Sequence, residues 1–237
     1  MLRPGAGRGG RGGENVFVPD CMTADPVTIS KDTPIFQALE IIKQRKIRHL
    51  PVTREGRLVG LVTERGLLKV SPSPATTLSV YELNYILAKV TVTEAMIKEP
   101  ITVRPGLPIE EAALIMRDHK VGCLPVTEGD RLVGILTQTD MVEALVRLFG
   151  LRKAGSRIVV EITDRVGVLH EITSVFKEKG ISIRSLATFE RAPGLYHLTF
   201  RLSVADARDL GGRFREDGHE GCVCQLGGEA WASTSGR

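Results

Sequence analysis

The chain has 237 residues, 42% of them hydrophobic and 25% charged, with a formal net charge of +4. That is the composition of an ordinary soluble protein with room for one large domain or two to three small ones. No apolar run approaches the roughly 20 residues that span a bilayer, which argues against a membrane partner. Residues 1–13, MLRPGAGRGGRGG, lack the apolar core of a secretory signal, so the sequence predicts a cytoplasmic location. Arg3, Arg8 and Arg11 in that stretch supply three of the +4 charges, and the rest is nearly neutral. Residues 1–14 read as a disordered Arg/Gly leader, or a misplaced start, rather than as a nucleic-acid contact, because no aromatic stacking residues accompany the arginines. The four cysteines do not make a disulfide framework in a chain of this kind. Cys21 and Cys123 read as core residues. Cys222 and Cys224 have no partner pair at zinc-like spacing and fit alternation along a strand better than a metal site.

From Cys21 the chain matches itself without a gap at an offset of 74 residues: Cys21 to Thr63 lies over Ala95 to Thr137, and Arg57-Leu58-Val59-Gly60 recurs as Arg131-Leu132-Val133-Gly134. A repeat of this length marks a structural unit used twice. Each copy is predicted to open with an extended segment, Pro26 to Ile29 and Pro100 to Val103. A helix follows, with Thr33 as cap and Pro34 in the first helical position of the first copy. Ile35, Ala38, Leu39 and Ile42 line its apolar face, and Ile109, Ala112, Ala113 and Met116 repeat it. Two β-rich runs come next, Ile47 to Thr53 with Arg57 to Val62, and Val121 to Thr127 with Arg131 to Leu136. A second helix begins after Thr63 and after Thr137.

Ile47-Arg48-His49-Leu50-Pro51-Val52 with Gly60-Leu61-Val62-Thr63, and Val121-Gly122-Cys123-Leu124-Pro125-Val126 with Gly134-Ile135-Leu136-Thr137-Gln138-Thr139-Asp140, resemble a tandem pair of CBS domains, the Bateman module that binds regulatory nucleotides. The domains fall at 15–75 and 95–150. In the second copy Asp140 lies in the first turn of a helix whose unpaired N–H groups and dipole favour a phosphate. The Thr137 hydroxyl can donate to that phosphate, and the Asp140 carboxylate suits the two hydroxyls of a ribose. Thr137 and Asp140 could equally cap the helix. By resemblance the adenine lies near Thr102 and near Cys123, Leu124 and Pro125. In the first copy Gly66 replaces the aspartate, so a site there lacks the ribose contact. Arg48, His49, Thr63 and Arg65 are its candidate phosphate contacts, with a solvated basic rim as the alternative for the charged three.

Ser71-Pro72-Ser73-Pro74 reads as a linker, and Leu83, Ile86, Leu87 and Val90 recur at helical spacing in a linker helix over 76–94. From Arg157 the pattern is a strand to Thr163, a helix from Gly167 to Lys179, and strands Ile181 to Phe189 and Leu195 to Val204. A helix near Ala205 to Arg215 and a strand in Gly221 to Leu226 follow. This order, with Asp164-Arg165-Val166-Gly167-Val168-Leu169 at the first turn, resembles an ACT domain over 157–226. That family usually has proline where Val166 stands. The resemblance makes Asp164, Gly167, Val168 and Leu169 candidates for binding an amino acid effector, or leaves Gly167 as a packing residue. Residues 227–237, with Trp231, read as a disordered tail.

The fold class is α+β, an α/β sandwich: two CBS repeats packed as a pair with pseudo-two-fold symmetry, then a ferredoxin-like βαββαβ ACT domain. The order CBS, CBS, ACT resembles the acetoin utilization protein AcuB family. It implies a homodimeric regulatory protein that senses an adenine nucleotide and passes its occupancy to a protein partner, with no other cofactor. His49, His119, His170, His197 and His219 show no metal spacing, and no catalytic triad or P-loop pattern is present, which argues against an enzyme and assigns no catalytic residue. No basic recognition helix argues for a nucleic-acid partner.

Overall fold

The computed structural model describes residues 16–71, 90–216 and 223–225. The leader 1–14, the tail 227–237 with Trp231, Cys222, and the linker helix as far as residue 89 lie outside them. The chain divides into two compact units after Val142.

In the first unit the helical spacing of apolar residues is realised in α2 (Ile35–Arg45), after a short helix α1 (Val18–Cys21) and strand β1 (Thr23–Ala24). Ile35, Ala38 and Ile42 are buried. Pro34 is extended, with φ −62° and ψ 145°, and no side chain caps the helix. This corrects the expected Thr33 cap and the placing of Pro34 inside the helix. The N–H of Ile35 instead donates to the Val90 carbonyl, 3.0 Å away, which satisfies one of the four N–H groups a helix start leaves without an intrahelical partner. The chain continues through β2 (His49–Arg54), β3 (Arg57–Thr63) and α3 (Glu64–Val70). Glu55 and Gly56 turn the hairpin with φ of 54° and 79°. After a 3-10 turn at Val92–Glu94, the second copy gives α4 (Ile109–His119), β4 (Cys123–Glu128), β5 (Arg131–Thr137) and α5 (Gln138–Leu148). The extended openings are less regular than predicted. They contribute single parallel bridges, Ile29 to Val52 and Val103 to Val126.

The two copies are joined reciprocally. Leu58 N–H donates to the Asp130 carbonyl and Leu132 N–H to the Gly56 carbonyl, at 2.9 and 3.1 Å. Their leading arms cross over: β1 pairs with β5 through Thr23–Ile135 and Ala24–Gly134, and Ile97 pairs with Leu61 of β3. The N–H of Ile109, which opens α4, donates to the Val16 carbonyl at 2.9 Å. Each copy is therefore completed by the segment that precedes the other.

Glycines make the crossing possible. A Cβ on Gly60 would overlap the Met96 sulfur and lie 2.9 Å from the Ile97 carbonyl oxygen, whereas the three atoms nearest one on Gly134 all belong to the Met22 side chain, whose sulfur it would overlap. Backbone yields less readily than a thioether. Gly60→Ala should therefore cost about 1–3 kcal/mol of stability, and Gly134→Ala clearly less, as read by urea unfolding of the two variants.

The second unit contains β6 (Ser156–Thr163), α6 (Val168–Glu178), β7 (Ile183–Ala192), β8 (Leu195–Leu202), α7 (Arg208–Glu216) and β9 (Val223–Gln225). Its antiparallel sheet runs β7-β8-β6-β9, completing the βαββαβ order. Alternation along β6 buries Ile158, Val160 and Ile162 against Ile172 and Phe176 of α6. Gly211 and Gly212 weaken α7 by about 1 kcal/mol each relative to alanine. Burial of Leu210 and Phe214 in the same core offsets that weakness. Among the described residues no helix is long and apolar enough to cross a membrane.

Candidate functional site

In the first unit a cavity of about 460 Å³ is built by three segments from different parts of the chain. The end of β5 and the first turn of α5 supply Thr137 and Asp140. The chain leaving α2 supplies Lys46, Arg48 and His49. The crossed arm supplies Asp25, Pro26 and Val27. Lys46 has φ 53°, the left-handed turn that ends α2 and redirects the chain into the cavity wall. The Arg48 carbonyl accepts from Glu64 N–H at 2.9 Å, as Gly122 does from Gln138 N–H at 3.1 Å. These repeat-related bonds fix both walls.

Asp140 Oδ2 accepts from the Thr137 backbone N–H at 2.8 Å and from the Thr137 hydroxyl at 2.6 Å. The Asp140 N–H donates in return to Thr137 Oγ1 at 3.3 Å. The helix cap read from the sequence is thus present, and both capping residues also face the cavity. In the first copy Thr63 Oγ1 accepts from Gly66 N–H at 3.0 Å, with no carboxylate.

The lining carries both signs of charge: Lys46 and Arg48 on the chain leaving α2, Asp25 on the crossed arm and Asp140 on α5. His49 sits beside Gly122, where an added Cβ would lie 3.1 Å from its Nε2. Burial, with a smaller contribution from the Arg48 charge, lowers the His49 pKa below its ordinary 6.5. The unfolded chain then takes up a proton near pH 6.5 that the folded chain accepts only at lower pH, so stability falls as the pH falls below that value. Urea unfolding between pH 7.5 and pH 5.5 should show this loss, and His49→Gln should reduce it.

The structure regroups several of the predicted residues. Arg48 and His49, expected at the first copy's site, line the cavity of the second copy's Thr137 and Asp140. The pairing of the two copies is the reason. Thr63 caps α3, and Arg65 is exposed on that helix; neither is among the residues lining the cavity. Thr102 lines a separate hollow with Arg104, Leu107 and Thr127. Cys123, Leu124 and Pro125 are buried in β4, with Cys123 and Pro125 paired to Thr137 and Ile135; they back the wall and do not line it. Burial pushes the Cys123 thiol up to about 12, so it stays protonated. Sequence reasoning missed Lys46, Asp25, Pro26, Val27 and Gly122, because a repeat shows which residues correspond and not which copy they pack on.

In the second unit Asp164 N–H donates to the Gly194 carbonyl at 2.8 Å. Gly167 stands at the start of α6 with φ 91°, a conformation that favours glycine. Val168 is buried and Leu169 is 43% exposed. An ion pair of Arg165 with Glu171, one bond of which is 2.6 Å, spans the turn. A hollow of about 470 Å³ in this unit lies elsewhere, lined by His170, Ser174 and Glu178 of α6 and by Arg213. Among the described residues no three His, Cys, Asp or Glu side chains gather as a metal set.

A CBS-domain model matches residues 18–73 and again 92–147. A CBS domain-containing protein of Dictyostelium discoideum is 32% identical over 135 residues, covering 56% of this chain and 93% of that one. The chain belongs to the CBS-domain family. An ACT-domain model matches residues 156–213, so a CBS pair is followed by an ACT domain. The pair resembles a protein assigned to acetoin utilization, AcuB of Vibrio cholerae, at 30% identity, 58% and 95% coverage and a TM-score of 0.49. It also resembles CBSX2 of Arabidopsis thaliana, solved in complex with AMP, at 29% identity, 55% and 96% coverage and a TM-score of 0.46.

Proposed function

We propose that the CBS pair senses an adenine nucleotide in the cavity of Asp140 and passes its occupancy to a protein partner. The observation that carries this reading is the convergence of unlike groups on one cavity, whose lining includes Asp140 together with Lys46 and Arg48. A carboxylate matches a ribose diol, cations match phosphate, and apolar Val27 and Ile135 give a flat base surface to lie against. The role is regulatory, since the family matches are CBS and ACT domains. Calorimetric titration of AMP, ADP, ATP and S-adenosylmethionine into the full chain tests it. Saturable one-site binding of one of them supports the sensor, and no heat from any of the four rejects it.

Two finer parts of the proposal have their own support. Gly167, with open space where a Cβ would stand, leaves the start of α6 accessible to the carboxylate of an amino acid. Leu68 on α3 and its repeat counterpart Val142 on α5, 57% and 59% exposed, offer apolar surface for homodimerisation. Sedimentation of the purified chain reads the latter directly.

A further inference from the structure

We propose that the cap between Thr137 and Asp140 is a latch that the ligand opens; the inference rests on the reading of this cavity as an adenine nucleotide site. Without ligand, both donors of Thr137, its N–H and its hydroxyl, are spent on the same oxygen, Asp140 Oδ2. A vicinal diol presents two O–H donors, and in the bidentate arrangement it gives one to each oxygen of the carboxylate. Oδ2 already holds two donors at 2.6 and 2.8 Å. The diol therefore takes the place of the Thr137 hydroxyl, which turns its proton toward the cavity.

The opened state is one the fold already tolerates. Helix α3 begins at Thr63 with only the hydroxyl oxygen accepting, from Gly66 N–H at 3.0 Å. After opening, α5 keeps the equivalent bond, from Asp140 N–H to Thr137 Oγ1, and the bond from Thr137 N–H to Oδ2, and loses only the bond from the Thr137 hydroxyl. The first turn of α5 is thus held by three bonds in the free chain and by two in the bound chain. The chain passes from the first compact unit to the second within this helix, after Val142. A ligand acts on a conformational equilibrium only through bonds that differ between its two states, and here the differing bonds are those at the head of the connecting helix.

The latch predicts a gain of affinity from a lost hydroxyl. Adenosine carries the diol and no phosphate, and is titrated into the full chain and into Thr137→Val. With no internal bond to break, Thr137→Val should bind adenosine about three- to ten-fold more tightly; equal or weaker binding overturns the latch. If neither adenosine nor AMP binds the wild-type chain, the nucleotide reading itself fails and the latch with it.

Discussion

Asp140→Ala should weaken AMP binding by about 1–3 kcal/mol, roughly five- to a hundred-fold in Kd, the scale of a lost charge-assisted hydrogen bond. The loss should appear in the affinity and not in the fold. Helix α3 starts behind Thr63, whose hydroxyl accepts from Gly66 N–H with no carboxylate, so α5 can start behind Thr137 alone. The carboxylate's contribution to helix stability is of the order of 0.3–1 kcal/mol. Calorimetry with AMP and urea unfolding of the same samples separate the two quantities. Undiminished AMP binding by Asp140→Ala would remove the carboxylate from the ligand contacts and move the site elsewhere in the pair.

Phe176→Ala should lower the unfolding free energy by about 3–5 kcal/mol, the range for deleting a buried aromatic side chain. Phe176 is 1% exposed and meets Phe200 and Phe214 edge to face, with ring centroids 5.0 and 5.6 Å apart. Its removal leaves three elements, α6, β8 and α7, without their common contact. Such a loss is large beside the total stability of an ordinary domain, so the thermal transition of the second unit should move far down or vanish. An unchanged transition would show that the three-ring cluster is not what holds that unit together.

Much of this architecture was legible because it rests on short-range periodicity. Ile35, Ala38 and Ile42 are helical in spacing and buried in fact, and Ile158, Val160 and Ile162 alternate and are buried in fact. Glu55 and Gly56, between the two β-rich runs read from the sequence, turn the hairpin with positive φ. Pro34 was read as the first residue of its helix; it is instead an extended residue whose successor donates to a crossing arm, a long-range bond that no local pattern records. The site was half legible for the same reason. Thr137 and Asp140 lie three residues apart in one motif, but Arg48 and His49 reach them only through the pairing of the two copies, and a repeat in the sequence carries no mark of which copy meets which arm.

Because the segment ahead of each copy is built into the other, the span that repeats along the chain and the span that folds are different objects. A break anywhere between residues 71 and 90 would leave an amino-terminal fragment lacking Val92, which is buried in its core, and holding β1, which belongs on β5. The carboxy-terminal fragment would be short of β1 and of the Val16 carbonyl that receives the first N–H of α4. Neither piece is a small version of the whole. Each is a template with one rung missing, and the two fragments mixed together carry what either needs to close.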